Sequence, residues 1–331
     1  MIKIAQVGFG YWGPNLTRNL SKSKKFDLKI LCDLSKKRLN KINQQYPNIQ
    51  TTQDINDIII DKSITAVVIS TPVKTHFKLI KKLIKSNKNV LVEKPLVTSL
   101  KDFNIINKIS TKKNLVVMTG YTFLFNDAVI KIKNILKNNI LGDVRYVYSQ
   151  RLNLGRVRTD INAFWNFAPH DLSIINYLLD IKKISKIKYS GKDFVQKGID
   201  DVCFVNFTIN DKILYNMHLS WLDPQKTRKL FIVGDKKMLI YDDTALDKIK
   251  VINKRVDVRA NNKKNMDYDN YQFNPFIYKD GKEKVIKTNN QEPLSKEINH
   301  FYNALKNKTR CITGLNFSKK ILSQMTRINK I

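Results

Sequence analysis

Over residues 1–120, short apolar runs alternate with stretches in which apolar residues recur every three or four positions. The runs 2–7, 28–32, 66–70, 89–92 and 115–119 are rich in Ile, Val and Leu and carry little charge. That is the pattern of strands buried on both faces of a parallel sheet. The intervening stretches 14–20, 36–45, 74–86 and 100–111 predict amphipathic helices; in the last, Phe103, Ile106 and Ile109 recur at roughly helical spacing. Strand and helix in alternation predict an α/β domain with a doubly wound parallel sheet. A further helix, 127–138, leads out of it.

After Gly142 the texture changes. A strand at 144–152 precedes a loop and a helix at 164–179. Segments 184–189, 201–209, 213–221, 229–233 and 238–241 then follow at strand length, joined by short turns such as Asn210-Asp211. Such a succession predicts a largely antiparallel open sheet. Residues 255–290 are polar and irregular and resist assignment, and helices at 295–307 and 317–329 close the chain. The expected organisation is a dinucleotide-binding domain over 1–123 and an α+β domain over 124–331 that binds substrate and mediates oligomerisation.

A length of 331 residues allows two cores, and 42% hydrophobic residues is ordinary for a globular chain. No apolar run reaches the roughly 18 residues of a membrane span. The chain enters a strand at its first residues, which predicts no signal peptide and a cytoplasmic location. Cys32, Cys203 and Cys311 are few and far apart, suggesting neither a disulfide framework nor a metal site. The net charge of +32 admits two readings, an anionic partner or a lysine-rich composition spread over solvated helix faces. The basic residues are dispersed and no nucleic-acid-binding signature is present, so no specific nucleic-acid partner is expected. Only 11 of the 60 basic residues are Arg, yet three fall together at Arg151, Arg156 and Arg158. Where Lys is the default cation, clustered Arg points to a need for the planar fork that matches a diphosphate or a carboxylate.

Four segments carry candidate chemistry. In Gly8-Phe9-Gly10-Tyr11-Trp12-Gly13 the glycines follow a strand and open a helix, the setting in which they allow a tight turn, close backbone approach to a pyrophosphate, and close helix packing. Asp33 ends the second strand, where a carboxylate binds ribose hydroxyls and repels a 2′-phosphate; this favours NAD over NADP, although Lys36, Lys37 and Arg38 weaken the preference. Thr71-Pro72 with His76 lies at the carboxyl end of a strand, where ligands bind in open α/β sheets; a strand terminator with a helix cap is the plainer alternative. Glu93-Lys94-Pro95 sits where the next strand stops. A Lys there can hold a hydroxyl and stabilise its developing negative charge, and otherwise the segment is an exposed turn. In Trp165-Asn166-Phe167-Ala168-Pro169-His170-Asp171, Asn166 and His170 are i, i+4 neighbours if helical, and His170 is either a proton acceptor or a packed structural residue.

Together these segments resemble the Gfo/Idh/MocA family, over nearly the whole chain. Gly8 to Leu16, Gly120 to Asn126, Arg151 to Gly155, Ala168 to Asp171 and Ser220 to Pro224 are similar to a subgroup found with surface-polysaccharide biosynthesis. That subgroup resembles dehydrogenases oxidising the C3 hydroxyl of UDP-N-acetylglucosamine or its uronic acid. The resemblance implies a Rossmann domain, NAD as hydride acceptor and Lys94 with His170 as the catalytic pair. It implies cofactor contacts from Gly8 to Gly13, Asp33, Thr71, Pro72, His76, Glu93 and Lys94. Substrate contacts are expected from Lys94, Asn126, Arg151, Arg156, Arg158, Asn162, Asn166 and His170, on the open sheet of the second domain. A homodimer or homotetramer through that sheet is also implied. One departure stands out: Asn166 occupies a place where members of the family often carry Asp. An amide orients an imidazole but supplies no charge to raise its pKa. Two other functions remain open, a free-sugar or inositol dehydrogenase of the same family and a non-catalytic NAD(H)-sensing protein.

Overall fold

A computed structural model describes residues 1–155, 157–258, 276–289, 291–307 and 310–329. They form two units, one of residues 1–126, 168–174 and 291–330, the other mainly of 127–167 and 175–290.

The first unit is built on six parallel strands: β1 (Ile2–Val7), β2 (Phe26–Cys32), β3 (Gln50–Thr52), β4 (Ala66–Ile69), β5 (Asn89–Glu93) and β6 (Val117–Gly120). Their order is β3-β2-β1-β4-β5-β6, so the winding reverses between β1 and β4. The central strands carry the expected apolar runs; every residue of β4 is buried, as are Ile4 to Val7 of β1. Helices α1 (Gly13–Lys22), α2 (Lys36–Gln45), α3 (Ile55–Ile60), α4 (Val73–Lys85) and α5 (Leu100–Lys112) connect them. Each longer helix buries one stripe, for example Ile80, Leu83 and Ile84 of α4, while its lysines face outward. The short β3 and α3 were not anticipated. Three residues are too few to show alternation, and α3 buries only Ile58.

The second unit begins with α6 (Asp127–Lys137), β7 (Val144–Leu152) and α7 (Ala163–Leu178), the last running through both units. It continues with β8 (Ile184–Lys192), β9 (Val202–Ile209), β10 (Ile213–Ser220), β11 (Thr227–Gly234), β12 (Met238–Asp242), β13 (Ile249–Val258) and β14 (Phe276–Ile286). These make an eight-stranded sheet in the order β14-β13-β12-β11-β7-β10-β9-β8, antiparallel except where β7 and β10 pair in parallel. Asn210 (φ 50°) and Asp211 (φ 55°) both adopt positive φ, the geometry of a two-residue hairpin turn between β9 and β10. The stretch left unassigned at 255–290 contributes the end of β13 and all of β14. Their lysines and acids pair across strands, as in Lys250–Glu283 at 2.8 Å and Lys254–Asp280 at 2.7 Å; the rest of that stretch, 259–275 and 290, lies outside the described residues.

Two helices close the chain, α8 (Pro293–Asn307) and α9 (Leu315–Ile328), and both group with the first unit. Phe301 of α8 stacks on Phe26 of β2 with ring centroids 6.2 Å apart, and the Thr119 and Ser318 hydroxyls lie 2.8 Å apart. No helix among the described residues is long and apolar enough to cross a membrane.

Candidate active site

The glycine turn joins β1 to α1 at the point where the strand order reverses. Gly8 takes φ +98°, and a Cβ there would lie 2.9 Å from the Ser70 backbone at the end of β4. A Cβ on Gly13 would lie 2.7 Å from the Gly8 carbonyl oxygen. Both glycines are therefore required by the fold itself. Gly10 differs: a Cβ there would meet nothing within 4 Å, so its backbone faces open space. Trp12, at the N-cap of α1, makes no side-chain cap, and no acid occupies the first turn. Pro14 has no amide hydrogen and the Asn15 amide donates to the Trp12 carbonyl at 3.1 Å, so what this helix start offers an anion is its dipole.

Buried polar side chains hold this turn. Gln6, fully buried on β1, donates from Nε2 to the carbonyls of Gly8 (2.9 Å) and Gly13 (3.0 Å), and its Oε1 accepts from Thr17 (2.8 Å). Ser70 donates to the Gly8 carbonyl at 2.9 Å. Asp33, at the end of β2, accepts from the Phe9 amide at 2.7 Å and the Ser35 amide at 2.8 Å, and Arg38 approaches both its oxygens at 3.1 Å. The acid therefore braces the turn from the side. Gln6 escaped sequence reading, although a polar residue within an apolar strand was the available signal.

His76 is buried on α4, with Nδ1 2.9 Å from the Pro95 carbonyl and Nε2 2.9 Å from the Thr71 carbonyl. It ties the loop after β4 to the loop after β5. Thr71 meets Thr75 at 2.6 Å between hydroxyls, and exposed Pro72 precedes α4. Tyr11 is exposed at the tip of the glycine turn.

Glu93 ends β5 opposite Gly120 of β6, and half-buried Lys94 follows it. Burial pushes the Glu93 carboxyl up to about 7, while the neighbouring Lys94 charge and the Trp12 indole restrain the rise. Beyond Gly120 a short 3-10 turn (Thr122–Phe125) carries Phe123, whose ring meets the His170 ring edge-on at 5.1 Å. Buried Asn126 closes that turn with its amide on the Phe123 carbonyl at 3.1 Å. Glycine turn, Asp33, Lys94, Asn126 and His170 thus all belong to the first unit, grouped at the carboxyl end of its sheet.

On α7, Asn162, Asn166 and His170 are spaced four apart and half-buried, whereas residues 171–176 are buried. The Asn162 side chain accepts from the Trp165 amide at 3.0 Å and so caps the helix. In the second unit Arg151 is buried near the end of β7, in register with Leu219 of β10 and Arg228 of β11. Beside it Tyr241 donates to Asp243 at 3.1 Å, and Arg228 and Lys248 approach the same carboxylate at 3.4 and 3.2 Å. Arg158 is held by Asp160 through two bonds of 2.9 and 2.7 Å. Arg156 lies outside the described residues.

A turn whose middle glycine faces open space, beside a helix N-terminus and a buried acid, fits the pyrophosphate and ribose of a dinucleotide. Comparison with known proteins agrees. Residues 2–121 match the oxidoreductase family with an NAD-binding Rossmann fold (Gfo/Idh/MocA), and residues 129–240 match the Gfo/Idh/MocA C-terminal domain. Curated relatives include an uncharacterised oxidoreductase of Streptococcus pneumoniae, 22% identical over 64% of this chain and 60% of its own length. Myo-inositol 2-dehydrogenase of Thermotoga maritima is 22% identical over 60% of each chain. The chain thus spans about three fifths of the length of these relatives. Among solved structures, UDP-N-acetylglucosamine 3-dehydrogenase from Acidithiobacillus ferrooxidans superposes with a TM-score of 0.80 at 16% identity, covering 98% of this chain and 96% of that one. GenD2 from gentamicin A biosynthesis, in complex with NAD, gives 0.82 at 16% identity, over 99% and 93%. At such identities these likenesses show the fold.

Proposed function

The chain belongs to the Gfo/Idh/MocA oxidoreductase family, and from that premise we propose that it is an NAD-dependent dehydrogenase acting on a secondary hydroxyl of a nucleotide-linked sugar. The C3 hydroxyl of UDP-N-acetylglucosamine or its uronic acid is the proposed substrate group. The observation that supports this reading is that Lys94 follows β5 and His170 meets Phe123 just past the paired strand β6, both in the unit that carries the glycine turn. Bound NAD⁺ would supply the hydride acceptor, held by the Gly8–Gly13 turn and Asp33. Lys94 holds the substrate oxygen and stabilises negative charge on it. His170 takes the hydroxyl proton, and Asn166, one helical turn earlier, orients it. Asn126 and Asn162 add polar contacts, and Arg151, Arg156 and Arg158 meet the diphosphate or a sugar carboxylate.

The test is NADH formation from NAD⁺ or NADP⁺ against a panel of UDP-sugars, free sugars and myo-inositol. Turnover with a UDP-sugar and NAD⁺ is expected. Turnover restricted to unactivated polyols would replace this substrate with the one its inositol-dehydrogenase relative suggests. Absence of turnover across the panel would favour a cofactor-sensing role.

The second unit supports association between copies. Its sheet leaves one face open, with Tyr146 (42%), Phe204 (44%) and Leu214 (63%) exposed, and Tyr148 stacked on Phe231 at 4.2 Å. Apolar exposure of this kind marks an interaction surface. A dimer or tetramer in sedimentation that becomes monomeric on Tyr148→Asp is the expected behaviour.

A further inference from the structure

Helix α8 buries Leu294, Ile298 and Phe301, and the same apolar stripe includes Glu297. Its side chain has no exposure, and neither carboxyl oxygen has a hydrogen-bond partner among the described residues. What lies in front of it is Glu93, half-buried at the end of β5. A Cβ placed on Gly120 would be 3.2 Å from Glu297 Oε1 and 3.2 Å from Glu93 Oε1, so the two carboxyls converge on the spot that Gly120 leaves empty. Gly120 is in turn the cross-strand partner of Glu93. A side chain at 120 would separate the acids, and its absence brings them together.

Two carboxylates confined in one poorly solvated space do not both ionise, because desolvation and mutual repulsion both oppose the second charge. The surroundings decide which one keeps the proton. Glu93 has the Lys94 ammonium beside it, together with the Trp12 indole. Glu297 faces the Thr122 hydroxyl, too weak to compensate, and the Cys311 thiol, which is itself driven towards neutrality by burial. His300, one turn along α8, accepts from the Ile312 amide at 3.1 Å, and burial lowers its pKa, so it supplies no cation.

We propose that Glu297 is a positioning residue for Lys94: it stays a neutral acid against Glu93, leaving Glu93 as the charged member of the pair, a counter-charge to the Lys94 ammonium at the end of β5. Burial and then the Glu93 charge hold Glu297 well above the usual carboxylate range, in accord with this assignment. The link to catalysis rests on the reading of Lys94 given above, whereas the shared proton does not.

The two parts are tested separately. Infrared difference spectra of the whole chain at about pH 8, far above the ordinary carboxylate range, should show a carboxylic-acid C=O stretch. The band should vanish in Glu297→Gln and persist in Glu93→Gln. A band unchanged by Glu297→Gln, or absent from the wild type, overturns the proposal whether or not a substrate is found. The second part is a pH profile of kcat/KM with the sugar nucleotide. Glu297→Ala lets water reach Glu93 and favours its charged form, so the acidic limb should move down by about one pH unit. The conservative Glu297→Gln should restore the limb, with NADH affinity by fluorescence and circular dichroism confirming an intact fold in each variant. A lower rate in Glu297→Ala with an unmoved limb would mean that Glu297 only fills space.

Discussion

The polar residues of the two units do different work. In the first, they sit at the carboxyl end of the parallel sheet and turn inward, onto backbone. Gln6 bonds two carbonyls of the glycine turn, Asp33 takes the Phe9 amide, and His76 reaches the Thr71 and Pro95 carbonyls. In the second, Arg158 is spent on neighbouring Asp160, while Lys250 and Lys254 pair across strands at the surface. A buried group that loses its partner keeps its desolvation cost, whereas a surface ion pair returns to water at little loss. Geometry in the first unit is therefore rigid and shared among many residues. In the second, these surface pairs are replaceable one at a time.

Substitutions across both units can break this contrast. The largest effect is expected from Lys94→Met, with kcat falling about 10²-fold or more in stopped-flow turnover. NADH affinity should fall far less than kcat, because the turn and its braces are untouched and Lys94 is one cofactor contact among many. A Lys94→Met enzyme with full turnover would remove Lys94 from the chemistry. Next comes Gly13→Ala, whose methyl would lie 2.7 Å from the Gly8 carbonyl. Overpacking of this kind costs about 1–3 kcal/mol, so a lower Tm and at least about tenfold weaker NADH binding by fluorescence titration are expected. Gln6→Leu leaves two buried carbonyls without their donor and should cost about 1–3 kcal/mol in denaturant unfolding, with cofactor affinity falling in parallel. A neutral outcome would mean that the turn holds itself. The smallest effect is Arg158→Ala in the second unit. Stability should change by less than about 1 kcal/mol, and KM for a UDP-sugar should rise with kcat unchanged. A drop in kcat equal to that of Lys94→Met would erase the distinction between the units.

The pH dependence of stability has two opposing parts, both within the first unit. Burial raises Glu93 and Glu297 above their unfolded values, so the folded chain binds more protons than the unfolded one. Their contribution therefore falls as pH rises from the ordinary carboxylate range through about 7. Glu297→Gln should flatten that fall in Tm. Asp61 acts in the opposite sense. The Lys29 ammonium at 2.6 Å, together with Ser63, holds it well below its usual range, so its contribution is present at neutral pH and lost on acidification.

Much of the fold was legible in the chain because the signals were local. Apolar runs separated by amphipathic helices specify a doubly wound sheet, and strand, glycines and helix in sequence specify a dinucleotide turn. Asp33, Lys94 and His170 could be picked out because each stands at the end of a strand or in a short polar motif. Other features depended on long-range packing. The ribbon of β13 and β14 is stabilised by pairs between residues some thirty apart, which no local periodicity reveals. The return of α8 and α9 to the first unit is decided by which apolar surface remains to be covered, and Phe26 meets Phe301 only once the sheet exists. Glu297 belongs to this second class. Sequence placed an acid on an apolar helical stripe, but only the side-chain-free Gly120 on the neighbouring strand brings that acid to Glu93. The sequence alone determined the parallel sheet, the glycine turn and the candidate catalytic residues, since each is written within a few consecutive positions. Tertiary structure decided which buried groups face one another, because charge, desolvation and hydrogen bonding act across space rather than along the chain.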